Sequence, residues 1–523
     1  SFSDPLTARK NGLYGYHLLG NGDPANIVYS LTLYERSEGA NLMRLQTDTL
    51  DKPLNINSGT KLELGSSAKF RTLANYLQII AALHEQYHSL SRAELAAVEL
   101  DAADHLSRWV ISYLSSAGNR DLSTMLAAAM QRRYLASPKE QFFTGGGVHT
   151  FSNFDKLDDT RIFSVQDAFN HSINMVFIRL MRDITQYYKY QIPGVRQLLG
   201  DAKDPRRHDY LSKFADQEGR IFLQRFYRKY RGKSFDDAFD ILMEGMRKNP
   251  KNLVAVFRYI KPDAGLNEFK TFLAGHLKSA QVADNILSEL FERLGPDAYS
   301  LVDLGYITRV HPLELWMLAY LNRHPDATQG EVIQNSAAER QEVYTWLFKT
   351  SRKNKQNVRI RALLEVEAFS EIFSEWKRLK YPFNSLVPSY ATAIGSSADR
   401  PDSLAELVGI VLNKGRWYPT LQIQKLCFGA KTPYETRVVY QKSKGEQVMP
   451  PEVAEALRQA LLGVAENGTA QRIRSAFLLS DGTYLAVGGK TGTGDNRHNI
   501  YSLGGHLISS KAINRTAVFV FFI

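Results

Sequence analysis

Gly488-Gly489-Lys490-Thr491-Gly492-Thr493-Gly494 follows Asp481-Gly482, the strongest short hairpin-turn signal in the chain. The flanking runs, 475–480 and 483–489, predict the two strands of that hairpin, so Lys490 leaves its exit on a strand among small residues. Such an edge lets a substrate backbone pair alongside it. The ammonium and the hydroxyls of Thr491 and Thr493 then meet a carboxylate. A glycine-rich edge strand with a solvated lysine is the ordinary alternative. A K-T-G-T match arises by chance in roughly one chain per hundred of this length, so this motif is specific.

Two weaker motifs precede it. Ser66-Ser67-Ala68-Lys69 opens a helix whose stripe is Phe70, Leu73, Leu77 and Ile80, read as amphipathic. A serine at a helix start meets the positive end of the dipole and free backbone N–H groups. A lysine three residues on lies one turn away on the same face, within reach of the hydroxyl proton if neutral. The bland reading is a capped core helix with a solvated lysine. S-x-x-K is expected about twice by chance in such a length, and Ser374-Glu375-Trp376-Lys377 matches too. Ser172-Ile173-Asn174 lies between 164–170 and an apolar helical run from Met175. On a connecting turn its hydroxyl and amide can face one cleft, to relay a proton and hold a substrate amide, or they can simply cap a helix. Tyr320-Leu321-Asn322 is set aside because 313–321 reads as continuous core helix.

The 523 residues exceed a single domain of ~150 about three- to fourfold. With 44% hydrophobic and 23% charged residues, wholesale disorder is excluded. Lys+Arg 65 against Asp+Glu 54 gives +11, which suits anionic partners without selecting one. Cys427 alone rules out an intrachain disulfide framework and any multi-cysteine metal site. No stretch approaches the ~18 apolar residues of a membrane-spanning helix. The chain starts at Ser1 without a signal-like segment and ends inside a strand, so it is expected to be a piece of a longer protein.

The two ends read as sheet and the middle as helix. Runs 27–34 and 41–46 flank Glu38-Gly39 as a hairpin, and 501–509 and 512–523 are two further strands. Residues 185–380 form a helical block with breaks at Pro193-Gly194, Asp204-Pro205, Asn249-Pro250 and Gly295-Pro296. The expected fold is α+β: an antiparallel sheet from both chain ends, a helical subdomain, and a large helical insertion. Its divisions are 1–184, 185–380 and 381–523.

The order S-x-x-K, S-x-N, K-T-G is the signature of penicillin-binding proteins and β-lactamases. The chain resembles the transpeptidase domain of class A (bifunctional) penicillin-binding proteins of Gram-negative type. The likeness extends over 56–77 (INSGTKLELGSSAKFRTLANYL), 144–154, 387–419, 432–436 (TPYET) and 450–469, and covers roughly 1–184 and 381–523. Ser374 falls outside the family order and is discarded as nucleophile.

The resemblance implies Ser66 as the acylated nucleophile, Lys69 as its base, Ser172 as proton shuttle and Asn174 as a ligand of the substrate amide. It implies Lys490 as the charge that keeps the site electropositive, with Thr491, Gly492 and Thr493 binding substrate and the backbone N–H groups of Ser66 and Thr493 as the oxyanion hole. It further implies a D,D-transpeptidase without cofactor. Its partners would be peptidoglycan stem peptides (a D-Ala-D-Ala donor and an amine acceptor) and β-lactams. It would act on the periplasmic face of the bacterial inner membrane, held there through a segment this chain lacks. A glycosyltransferase domain is also implied for the longer protein, and polymerising activity is not assigned to this chain. A D,D-carboxypeptidase, a β-lactamase or a non-catalytic penicillin-binding sensor or scaffold would carry the same motifs. The family pattern is broken by the 213 positions between Asn174 and Val387.

The sharpest rival is His84-Glu85-Gln86-Tyr87-His88, a full H-E-x-x-H that would make a zinc peptidase with Glu85 as base. Ser91 and Glu94 stand where the longer zinc signature needs Gly and His, and the third ligand is open among Glu94, Glu99, Asp104 and His105. No metal is expected. Residues 220–233 (RIFLQRFYRKYRGK) interleave cations with aromatics, as nucleic-acid grooves do, but read as an amphipathic helix with Phe222, Phe226, Tyr227 and Tyr230 inward. No nucleic-acid partner is expected. Gly145-Gly146-Gly147 lacks the G-K-[ST] ending of a phosphate loop, and Asn467-Gly468-Thr469, though a glycosylation sequon, reads as a turn.

Overall fold

The computed structural model describes Leu6 and residues 27–50, 52–144, 147–246, 249–276, 283–349, 353–495, 500–501, 507–508 and 515–523. It separates into two compact units, residues 1–195 with 364–523, and residues 196–363. The sequence reading put the boundaries at 184/185 and 380/381. Position 184/185 falls inside the helix Asn174–Gln191, whose apolar face keeps Ile184 in the core of the first unit. Residues 145–146 of the glycine run lie outside the described residues.

In the first unit, β1 (Ser30–Ser37) and β2 (Ala40–Asp48) form a hairpin around Gly39, whose φ of +78° suits the tight turn. α1 (Ala68–Tyr87) follows, then α2 (Val165–Asn170), α3 (Asn174–Gln191), α4 (Pro401–Leu412) and α5 (Pro451–Asn467). Strand β3 (Thr420–Leu421) lies parallel to β2. β4 (Gly488–Asp495) and β5 (Arg515–Phe522) pair antiparallel, Lys490 opposite Val520 and Thr493 opposite Ala517.

Among the described residues the N-terminal hairpin and the β4–β5 pair share no ladder, in place of the single antiparallel sheet expected from both ends. Asn41 N–H instead donates to Pro419 O at 3.0 Å, which hands the free edge of β2 to β3. The Asp481-Gly482 turn forms, with Gly482 at φ +82°, but closes on a single bridge, Leu478 to Tyr484, before β4 begins.

α1 differs from an amphipathic surface helix. Every residue from Ala68 to Leu77 is buried, the polar ones included. A polar group out of water is normally paired, and these are, apart from Asn75 Oδ1, which has no partner. Thr72 Oγ1 donates to Ala68 O at 3.1 Å, and Asn75 Nδ2 donates to Tyr188 Oη at 2.8 Å. Arg71 meets Asp399 through two nitrogens, Nε to Oδ2 and Nη2 to Oδ1 (3.3 Å), and also donates to Leu379 O (2.8 Å) and Ser403 O (3.3 Å). The helix is in fact the axis of the core, with Leu73, Tyr76, Leu77 and Ile80 packed among Val176, Leu180, Leu457 and Leu461.

Among its described residues the second unit has helices and no strand, and it has its own core, which includes Phe239, Phe257, Phe269, Leu313 and Met317. Of the expected breaks, Asn249-Pro250 works as a helix start: Asn249 accepts from Asn252 N at 2.8 Å, with proline in the first turn. In the helix Arg206–Tyr230, Phe226 and Tyr230 are buried and Tyr227 Oη donates to Ala327 O at 2.9 Å, so aromatics of the basic segment serve the core. Tyr320 lies within the helix Pro312–Arg323. No described helix is long and apolar enough to cross a membrane.

The Arg71–Asp399 pair joins α1 to the start of α4, and removing one partner leaves the other charged and dry. Arg71→Met alone is expected to cost about 3–5 kcal/mol, and Arg71→Met with Asp399→Leu to recover most of that. Equal denaturation midpoints for single and double variants would contradict this.

Candidate active site

Ser66 sits in a single 3₁₀ turn, Gly65–Ser67, that feeds α1. The turn exists because three backbones cross there without side chains. Gly65 has φ +52°, and a Cβ on it would fall 1.9 Å from Thr493 O. A Cβ on Gly492 would fall 2.2 Å from Leu64 O, and one on Gly395 would fall 2.6 Å from Gly65 Cα. Glycine at these positions is therefore a steric requirement, and it brings β4 against the serine turn. Ser67 spends its hydroxyl on Leu64 O at 3.1 Å, and no side chain caps α1. Ser66 Oγ is left for Lys69, whose Nζ lies 2.6 Å away and also 2.7 Å from Asn174 Oδ1.

The S-x-N turn is held from both sides. Ser172 takes φ +59°, a left-handed conformation that costs a non-glycine residue roughly 1–3 kcal/mol. Asn174 is the first residue of α3, and its Nδ2 donates to Ser152 O at 3.0 Å, which aims Oδ1 at Lys69. Asn153 caps the helix from a distance: its Oδ1 accepts from Met175 N at 3.0 Å while its Nδ2 donates to Ala136 O and Asp159 Oδ1 at 2.7 and 2.8 Å. Lys490 Nζ donates to Ser172 Oγ and, at 2.9 Å, to Thr491 O. Thr491 Oγ1 lies 2.7 Å from Thr469 Oγ1, and Thr493 is exposed at the mouth.

The eight residues singled out from sequence thus fall into two hydrogen-bonded groups, Ser66–Lys69–Asn174 and Ser172–Lys490–Thr491, with Gly492 and Thr493 on the strand that crosses the serine turn. The positive field of Lys490 reaches Lys69. Both lysines are buried, and each ammonium lies over a phenyl ring, Lys69 at 5.9 Å from Phe177 and Lys490 at 5.6 Å from Phe169. Burial first, and then the charge of Lys490, holds Lys69 well below the usual lysine range. Burial brings Lys490 down to about 7. A neutral amine 2.6 Å from a hydroxyl can take its proton, and a cation beside it favours that neutral form.

The rival motifs are spent on structure. His84 Nε2 is bonded to Arg120 O at 2.7 Å, His88 Nδ1 to His84 O at 2.9 Å, and the two rings stack 4.8 Å apart. Among the described residues no three His, Cys, Asp or Glu side chains converge on a metal position. Ser374 Oγ donates to Ser370 O and Lys377 Nζ to Phe383 O, so the second S-x-x-K is no pair. Sequence reasoning gave no role to Asn153, Gly395 or Thr469. Nothing local marks a cap that acts 22 positions away or a glycine needed by another chain segment, although Thr469 was in view as the end of a turn.

No protein-family model and no curated protein matches the chain. Among solved structures, the D,D-transpeptidase domain of a peptidoglycan glycosyltransferase from Eggerthella lenta is similar over 90% of this chain, at 13% identity and a TM-score of 0.30. The chain covers 64% of that neighbour, less than two thirds of its length. A superposition at that score fixes no residue correspondence, so the site stands on its own geometry.

Lys490 has a lower pKa folded than unfolded, so between about pH 7 and 10 the unfolded state binds more protons and stability rises with pH. Lys490→Met removes that burden. At pH 7 the variant is expected to be the more stable, by a margin that shrinks toward pH 10. A variant less stable at pH 7, or a pH-independent difference, would contradict the buried-lysine account.

Proposed function

We propose that the chain is a serine acyltransferase of the D,D-transpeptidase type, acting on peptidoglycan stem peptides. The observation that carries this reading is the buried Lys69 amine, held 2.6 Å from Ser66 Oγ, where burial and then the charge of Lys490 favour its neutral form. Lys69 takes the Ser66 proton as Oγ attacks the carbonyl of the penultimate D-Ala. The oxyanion forms among backbone N–H groups where the serine turn crosses β4, those of Ser66 and Thr493. The C–N bond breaks, and the departing D-Ala amine receives a proton through Ser172, whose hydroxyl is polarised by Lys490. An amine from a second stem peptide then resolves the acyl-enzyme, giving ping-pong kinetics.

Asn174 would hold a substrate amide, and Thr491 and Thr493 the terminal carboxylate beside Lys490. A β-lactam would acylate the same serine and leave slowly. The chemistry needs no cofactor. The reading places the chain on the periplasmic face of the inner membrane, within a longer membrane-anchored protein.

D-Ala release from a D-Ala-D-Ala peptide, with and without an amine acceptor, tests the reaction. The expected result is Ser66-dependent release in which added acceptor converts hydrolysis product into transfer product. Ser66→Ala and Lys69→Met should each lower the rate at least ~10³-fold. Release that survives Ser66→Ala would overturn the reading, and release without transfer would restrict it to a carboxypeptidase.

The pH profile of acylation offers a second test. Neutral Lys69 and charged Lys490 act together, so the rate should fall above about pH 7 in the free enzyme as Lys490 loses its proton. Lys490→Arg, with a charge that does not titrate, should remove that falling limb; its persistence would contradict the assignment.

A further inference from the structure

Thr469 lies outside the three motifs, yet it ties one of them to the segment just before another. It follows α5 through Gly468, and the turn is locked by Gly468 N–H to Val464 O (3.2 Å), Ala470 N–H to Val464 O (3.1 Å) and Thr469 N–H to Asn170 O (3.0 Å). Asn170 ends α2, two positions before Ser172. A Cβ on Gly468 would fall 2.3 Å from Asn170 O, so only glycine permits this approach. From that anchored turn, Thr469 Oγ1 reaches Thr491 Oγ1 at 2.7 Å, while Lys490 Nζ donates to the Thr491 carbonyl and to Ser172. Thr469 is exposed and Thr491 half-buried, so the pair sits at the solvent side of the site.

A hydroxyl has one hydrogen and two acceptor sites. If Thr491 gives its hydrogen to Thr469, none is left for a ligand. If Thr469 donates, the Thr491 hydrogen is free to be presented to an anion, and the anion in turn strengthens the chain of donors. We infer that Thr469 is a positioning residue for carboxylate recognition, its hydroxyl donating to Thr491 so that Thr491 donates to the terminal carboxylate of the acyl donor. This rests on the transpeptidase reading and adds to it a residue that selects for the carboxylate.

The test compares second-order acylation of Ser66 by a penicillin and by its methyl ester, followed by intact mass, in the parent, Thr469→Val and Thr469→Ser. Valine keeps the shape and removes the hydroxyl; serine keeps the hydroxyl. The expected result is that Thr469→Val lowers the carboxylate-over-ester preference about tenfold, the size of a charged hydrogen bond, while the ester rate holds within about twofold. Thr469→Ser should retain the preference of the parent. A preference unchanged in Thr469→Val, or both rates falling together, would overturn the inference and leave Thr469 a merely structural turn residue. So would Thr469→Ser behaving like the valine variant. A folded parent acylated by neither compound would instead overturn the functional reading beneath it, and the inference with it.

Discussion

The first unit depends on keeping one amine out of water. Lys69 is wholly buried, and so is every other residue in the first ten of its helix. An ammonium there would be costly, so the site is organised around the neutral form: one hydroxyl and one amide oxygen within 2.7 Å, and a second buried lysine whose charge opposes protonation. Much of the surrounding structure serves that arrangement. Arg71, on the same helix, is neutralised by Asp399 rather than left as a third bare cation in the core. Gly65, Gly395 and Gly492 give up side chains so that β4 can carry Lys490 to within reach of Ser172.

How far the sequence could be read follows from whether each signal is local. Gly488–Asp495 is local chemistry on a strand, and a strand does carry Lys490, although it begins at Gly488 and pairs with β5 where 483–489 was expected to pair in the Asp481-Gly482 hairpin. The helix after Ser66 and the turn at Ser172 are also local, as is the hairpin around Gly39. Two of the three motifs sit at the start of a helix, and element ends are what local signals mark best, while the third lies inside β4. The pairing of strands is not local. The expected single sheet needed 27–46 to meet 483–523, whereas Asn41 found Pro419 and the two ends kept separate ladders among the described residues. The amphipathic reading of α1 failed because its polar residues Lys69, Arg71 and Asn75 have the partners of a core. Asn153 and Thr469 were illegible for a related reason: a side chain that holds a distant turn carries no mark of it in its own neighbourhood.

The second unit has an identifiable core and no catalytic constellation of its own among the motifs considered. Its one conspicuous feature in sequence, the basic aromatic segment, is explained by packing: Phe226 and Tyr230 are buried, and Lys229 and Tyr230 share Glu314. Gly219 in the same helix gives room to Arg340, which Asp216 neutralises. A buried cation with a supplied partner, as at Arg71 and Arg340, is the common structural use of charge in this chain. Lys69 and Lys490 have no carboxylate among their bonding partners, as is also true of Arg207, but each of the two lysines has a serine hydroxyl in its place. That contrast sets their site apart as one built for chemistry.

The most direct measurement of the central claim is intact mass after incubation with a penicillin, followed by peptide mapping, on the parent, Ser66→Ala and Lys69→Met. A neutral buried lysine activating Ser66 predicts one adduct, on the peptide that contains Ser66, absent from Ser66→Ala and formed far more slowly in Lys69→Met. No adduct on a folded parent, or an adduct that persists without Ser66, would contradict the account.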